Sequence, residues 1–262
     1  MAGEIGLLVR EGKKHLRDST GYVGFQEAAE HRLGSTLWYA ATLASRLGLS
    51  LDAVAAANLE YVAARWGSPL PLPPASPYDT EFQESERLPR QLTITFLSSL
   101  ADRGEVAQMF KGAGVVGDPL RDLAVMDDGY RFHDAFHLVF VTLLGWSPTM
   151  RKLLACRRAS VQQVRDVEDG GRAIVIEEGL VAYIFAAAAE HSFFAEAKHV
   201  PTELLVTCRR LVAGLEVSSR TAFEWEQAIL EGFRVWRALT ALNGGVVVAD
   251  ADLRTLLVQP PA

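Results

Sequence analysis

The chain has 262 residues, 49% hydrophobic and 22% charged, which is enough apolar material for one large or two modest globular domains and excludes a disordered tail. Its 26 Lys and Arg against 32 Asp and Glu give a formal charge of −6, and no stretch packs four or more basic residues together, which argues against a nucleic-acid or anionic-membrane partner. Two cysteines, Cys156 and Cys208, stand at no metal-ligand spacing; they suit a reducing compartment and read as buried thiols.

The opening residues MAGEIGLLVREGKKH place Glu4 in an apolar run too short for a secretory signal, so a cytoplasmic protein is expected. Residues 1–66 have helical spacing. Leu33, Leu37, Ala40, Ala41, Ala44 and Leu47 recur at intervals of three and four, Gly48 is placed to stop that helix, and Ser50 caps a second one that runs to Trp66. The stretch GSPLPLPPASP, with five prolines between Pro69 and Pro77, cannot supply the hydrogen bonds of a helix or central strand and predicts a linker or extended arm.

Residues 67–126 hold that arm and then a hairpin, in which QLTITFLSS and VAQMFKGAGVV flank the polar turn ADRGE. Residues 127–262 are helical to about Leu242, with apolar faces in FHLVFVTLLGW, IVIEEGLVAYIFAAAA, LLVTCRRLVAGL and WEQAILEGFRVWRAL. The tail GGVVVADADLRTLLV reads as a last strand or a loose end. The longest uncharged apolar stretch, Gly179 to Ala189, has 11 residues, short of the ~20 needed to cross a membrane. The expected fold is mostly α with a small inserted β-hairpin, the C-terminal helical part packing on the same core as the first.

Two constellations carry chemistry. In GYRFHDAFHLVF, His133 and His137 lie four apart on one helix face with Asp134 beside them, so both imidazoles reach a single metal or phosphate. The outline is that of the zinc-hydrolase H-E-x-x-H motif, but Asp134 in the Glu position is a methylene shorter. In VEDGGRAIVIEEGLVAY, Glu177 and Glu178 interrupt a run too apolar for a solvated face. Burying a carboxylate costs several kcal/mol without a partner, so at least one must meet a cation, a metal or strong donors. Candidates are His133, His137, Arg131, Arg172 or a divalent ion; a structural Glu–Arg or Glu–His pair is the plainer alternative.

The N-terminal segment GEIGLLVREGKKHLRDSTGY…EHRLGSTLWYAATLASRLGLSLDAVAAANLEYVAARW resembles the MazG-like all-α nucleoside triphosphate pyrophosphohydrolases. The later blocks DDGYRFHDAFHLVFVTLLGWSP and VEDGGRAIVIEEG are similar to the C-terminal half of longer members. The resemblance covers about residues 3–66 and 78–190 and implies a MazG-like helical bundle. It also implies four carboxylates, at i and i+3 on two helices, holding magnesium for triphosphate hydrolysis. Carried over, those positions fall on Glu4, Leu7, Arg32 and Ser35, so only Glu4 keeps a ligand.

The resemblance and the second constellation together imply a metal-dependent hydrolase of a nucleoside triphosphate or related phosphorylated metabolite. In it Asp134, Glu177, Glu178 and Glu4 are ligands of Mg2+ or Mn2+, His133, His137 and Glu178 are catalytic, and Arg131 and Arg172 clamp phosphate. A homodimer associating through helix faces is expected. The alternative is a MazG-fold protein that has lost the hydrolase and serves as a ligand-binding, scaffold or repurposed biosynthetic protein.

Overall fold

A computed structural model describes residues 1–66, 77–102, 104–122 and 128–261, in two compact units, Met1–Ala63 and Ala64–Ala262. Most of the Pro-rich arm lies outside the described residues. Helix accounts for 58% of the chain, so the mostly α class holds. No helix of the described residues is long and apolar enough to cross a membrane.

The first unit contains α1 (Ala2–Asp18), α2 (Phe25–Arg46) and the greater part of α3 (Leu51–Trp66), with α1 packed along α2. Gly48 ends α2 as its sequence predicts, in the left-handed region at φ +67°, and the Ser50 hydroxyl accepts from the Ala53 N–H at 3.4 Å. The predicted apolar face of α2 is not covered. Leu33, Leu37 and Leu47 are exposed, and of that face only Ala44 is buried.

In the second unit the predicted hairpin is part of a larger sheet. Strands β1 (Gln91–Ala101), β2 (Gly104–Lys111), β3 (Gly114–Arg121), β4 (Gly244–Asp250) and β5 (Thr255–Gln259) form one antiparallel sheet in the order β3-β2-β1-β4-β5. The expected isolated hairpin is therefore corrected: the C-terminal tail supplies two strands, and β4 pairs along the free side of β1, with Thr95 opposite Val246. The alternation of β1 buries Leu92, Ile94 and Phe96. Gly244, at φ +130°, enters this pairing where a Cβ would stand 2.7 Å from the Phe96 carbonyl oxygen.

Helices α4 (Ala135–Val139), α5 (Pro148–Leu153), α6 (Gln162–Val167), α7 (Gly171–Ala189), α8 (Thr202–Leu211) and α9 (Ala222–Leu242) complete the unit. Its core runs from Leu88 to Leu256. The segment predicted as one helix, FHLVFVTLLGW, is instead the end of α4 and a π-helical turn (Phe140–Leu144) closed by left-handed Gly145, with a 3-10 turn (Tyr130–Phe132) ahead of α4, and π-helical turns are frequent at functional sites. Phe132, Phe136 and Phe140 share the four-residue spacing that buries them all. Phe136 packs edge-on against Phe185 of α7 at 5.1 Å and Phe233 of α9 at 4.9 Å. Gly232 lets α9 come this close, since a Cβ there would meet the Phe136 ring (Cδ1 2.7 Å). The residues one step on from each of the first two phenylalanines are His133 and His137, so the packing that fixes α4 also aims the imidazoles.

Candidate metal centre

His133 and His137 leave α4 and its preceding turn towards α7, which supplies Glu177 and Glu178. One ligand atom each from His133, His137 and Glu178 lies within 4.8 Å of the others. His137 Nε2 is 3.4 Å from Glu178 Oε1, and His133 Nε2 is 3.8 Å from Glu178 Oε2. Asp134 Oδ1 flanks the pair at 3.7 Å from each Nε2. Donors on a tetrahedral cation with bonds of about 2.0–2.1 Å stand roughly 3.3 Å apart, and the two histidine–Glu178 separations are already close to that spacing.

The far nitrogens of the rings are already fixed. His133 Nδ1 is 2.9 Å from the Tyr130 carbonyl oxygen, and the Tyr130 ring stacks on the imidazole at 4.4 Å. His137 Nδ1 is 2.8 Å from Glu177 Oε1. Glu177 is fully buried and also accepts from the Ser147 hydroxyl at 2.6 Å and the Thr149 backbone N–H at 2.8 Å. Nδ1 tied to a carbonyl or carboxylate, with Nε2 turned to a common point, is the arrangement that orients metal-ligating histidines. His137 Nε2 is itself buried without a hydrogen-bond partner, and such an atom is costly unless something unrecorded in the chain occupies it.

Charge points the same way. Asp134, Glu177 and Glu178 gather around two imidazoles, and among the described residues their ion-pair partners are those histidines alone. Burial raises the Asp134 carboxyl above the usual range. For Glu178 burial works in the same direction, but the neighbouring His133 and His137 imidazoles outweigh it and hold the carboxyl well below that range. Burial would lower His137, and the Glu177 charge overcomes it, raising the imidazole well above 6.5.

In the metal-free protein the raised His137 therefore contributes stability fully below about pH 6.5 and loses it as pH rises through the folded value. Glu178 contributes above about pH 4.5 and is lost as pH falls. Chelator-treated wild type and His137→Gln are expected to converge in melting temperature as pH is raised from 6.5 to 9; a gap that widens over that range contradicts the pairing.

The other sequence candidates lie elsewhere. The Arg131 guanidinium is committed to Asp122, to Glu105 at 2.9 Å and to Asn243 Oδ1 at 3.0 Å. Arg172 is exposed on the first turn of α7, beside a cleft of about 220 Å³ bordered by Asp166, Ile176 and Leu211 and by none of the four clustered side chains. Glu4 belongs to the first unit, where its Oε2 meets Arg32 Nη1 at 3.1 Å. Glu11 nearby is taken up by the Tyr22 hydroxyl and Lys14, which lower it to about 2. Tyr130, Ser147 and Thr149 escaped the sequence reading. Ser147 before Pro148 was the available signal, a cap followed by proline at the first helical position.

A two-histidine, two-carboxylate cluster, buried except for Glu178, on a helical scaffold edged by an antiparallel sheet marks a candidate metal site. A family model, the MazG C-terminal domain, matches residues 73–262, and the chain belongs to that MazG-like family. No curated protein and no solved structure gives a match.

Proposed function

We propose that the second unit is a metal-dependent hydrolase acting on a nucleoside triphosphate or a related phosphorylated metabolite, with His133, His137, Glu178 and Asp134 holding one divalent cation. The observation that carries the reading is the convergence of His133 Nε2, the unpartnered His137 Nε2 and the Glu178 carboxylate. Two imidazoles among the donors suit Mn2+ better than Mg2+, which prefers an all-oxygen shell. A cation bound there supplies Lewis acidity towards a phosphoryl oxygen.

The chain's own residues divide the remaining work. Glu177 holds His137 by Nδ1, and the Tyr130 carbonyl holds His133 by Nδ1, so Nε2 is the nitrogen each ring offers to a cation, which displaces any proton there on binding. Glu178, with 41% of its side chain exposed, marks the side from which a substrate enters. Phosphorylated substrates are supported by family membership.

In this reading the first unit serves association, and a MazG-like bundle completed by a second copy fits its surface. Arg32 neutralises Glu4 where the resemblance expects a magnesium ligand, and α2 exposes Leu37 (68%) and Trp38 (62%). Incubation of the full chain with nucleoside triphosphates and Mn2+ is expected to release pyrophosphate, at a rate reduced at least about 100-fold in Glu178→Gln. No turnover at high protein concentration across the panel would favour the repurposed, non-hydrolytic alternative.

A further inference from the structure

A second concavity lies on the second unit away from the metal centre, and none of the clustered ligands borders it. Its floor is α9, with Leu230, Arg234 and Arg237 one turn apart. One wall is the turn at Phe194–Ala197, and the other is the β4–β5 turn, with Leu253 and Leu256. The volume is about 540 Å³, within the roughly 300–1,000 Å³ of small-molecule sites.

Three guanidinium groups line it, and their partners are unequal. Arg234 is met by both oxygens of Glu231, at 2.6 and 2.7 Å, and Arg254 by Glu224 at 2.9 Å. Arg237 donates from Nη1 to the Phe193 carbonyl oxygen at 2.7 Å, and no carboxylate among the described residues pairs with it. Burial and the neighbouring Arg234 charge lower it from its ordinary value, as expected of a cation whose compensating anion is missing. The acids at the rim are already spoken for, since Glu231 is bound to Arg234. Apart from Gln227 and Thr255 the rest of the lining is apolar, chiefly Leu230, Leu253, Leu256 and Phe194.

The backbone of both walls is held in a conformation L-residues avoid. Ser192, Phe193 and Phe194 are successive left-handed residues at φ +51°, +50° and +54°, and Arg254 on the opposite wall is at φ +54°. Strained residues of this kind cluster where a ligand is clamped. Here the strain brings the Phe193 carbonyl to Arg237 and turns Phe194 into the wall.

We propose that this cleft binds a small organic anion with an apolar body. Its carboxylate or phosphate head meets Arg237, and its hydrocarbon part lies against Leu230, Leu253 and Leu256. Isothermal titration calorimetry of the full chain with octanoate, octyl phosphate and neutral octanol tests this. At least one of the two anions is expected to saturate at one per chain, the tighter identifying the head group, while octanol gives no saturable heat.

Arg237→Gln is expected to weaken that anion about tenfold, the scale of one hydrogen bond to a charged group. Leu253→Asp changes an exposed turn residue and keeps the test valid if the arginine variant folds poorly; it is expected to abolish binding. No saturation by either anion, octanol binding as tightly, or wild-type affinity in a folded variant would overturn the proposal.

Discussion

Replacing Glu177 with alanine is expected to destabilise the second unit by about 3–5 kcal/mol and to weaken its hold on a divalent cation by about 10–100-fold. The carboxylate is fully buried and is the shared acceptor of the Ser147 hydroxyl, the Thr149 N–H and His137 Nδ1. Removing it strands all three donors, and it leaves the imidazole of a fully buried residue without the group that fixes its tautomer.

Two readouts separate the consequences. Urea denaturation of chelator-treated protein reports the lost packing and hydrogen bonds, and cation titration reports the lost orientation. Glu177→Gln keeps the volume and one acceptor oxygen, so it is expected to recover much of the stability and little of the cation affinity. Equal recovery of both would mean that Glu177 only fills space.

Arg158→Ala is the second large effect, expected at about 3–5 kcal/mol with no direct consequence for the metal cluster. Arg158 is about 1% exposed. It donates to Asp169 Oδ1 at 2.6 Å, to both oxygens of Glu216 at 2.7 and 2.8 Å, and to the Tyr78 carbonyl oxygen at 3.0 Å. It thereby fastens residue 78, the start of α7 and the turn before α9 to one guanidinium.

Burial disfavours the charge, and Asp169 and Glu216 more than restore it, so the group is held more firmly protonated than usual. Truncation leaves two carboxylates facing each other, one of them fully buried. Thermal melts should fall by about 10 °C for a unit of this size, with Arg158→Lys intermediate because a point charge cannot span both acids. An unchanged melting temperature in Arg158→Ala would show that the two acids find other partners.

The sequence and the structure part company for identifiable reasons. The alternation of Leu92, Ile94 and Phe96 made β1 readable, whereas VVVAD in β4 is a continuous apolar run that periodicity cannot assign. Its pairing with β1 is a contact over about 150 residues that local pattern does not encode. The His133–His137 spacing and the paired glutamates were legible because polar groups in apolar helices require partners. Which of the two glutamates faces the imidazoles' free nitrogens was not, since adjacent residues on a helix differ by about 100° and only the packing of α7 against α5 decides it. Asp169, just ahead of α7, is buried against Arg158, eleven positions away and invisible to any periodic argument.

Mn2+ binding to the chelator-treated full chain, followed by electron paramagnetic resonance, tests directly whether His133, His137 and Glu178 form one cation site. One tight Mn2+ per chain is expected, with nitrogen hyperfine coupling from two imidazoles and loss of both in His137→Ala, circular dichroism being unchanged. Mn2+ that binds without nitrogen coupling, or equally well in a folded His137→Ala variant, would contradict it.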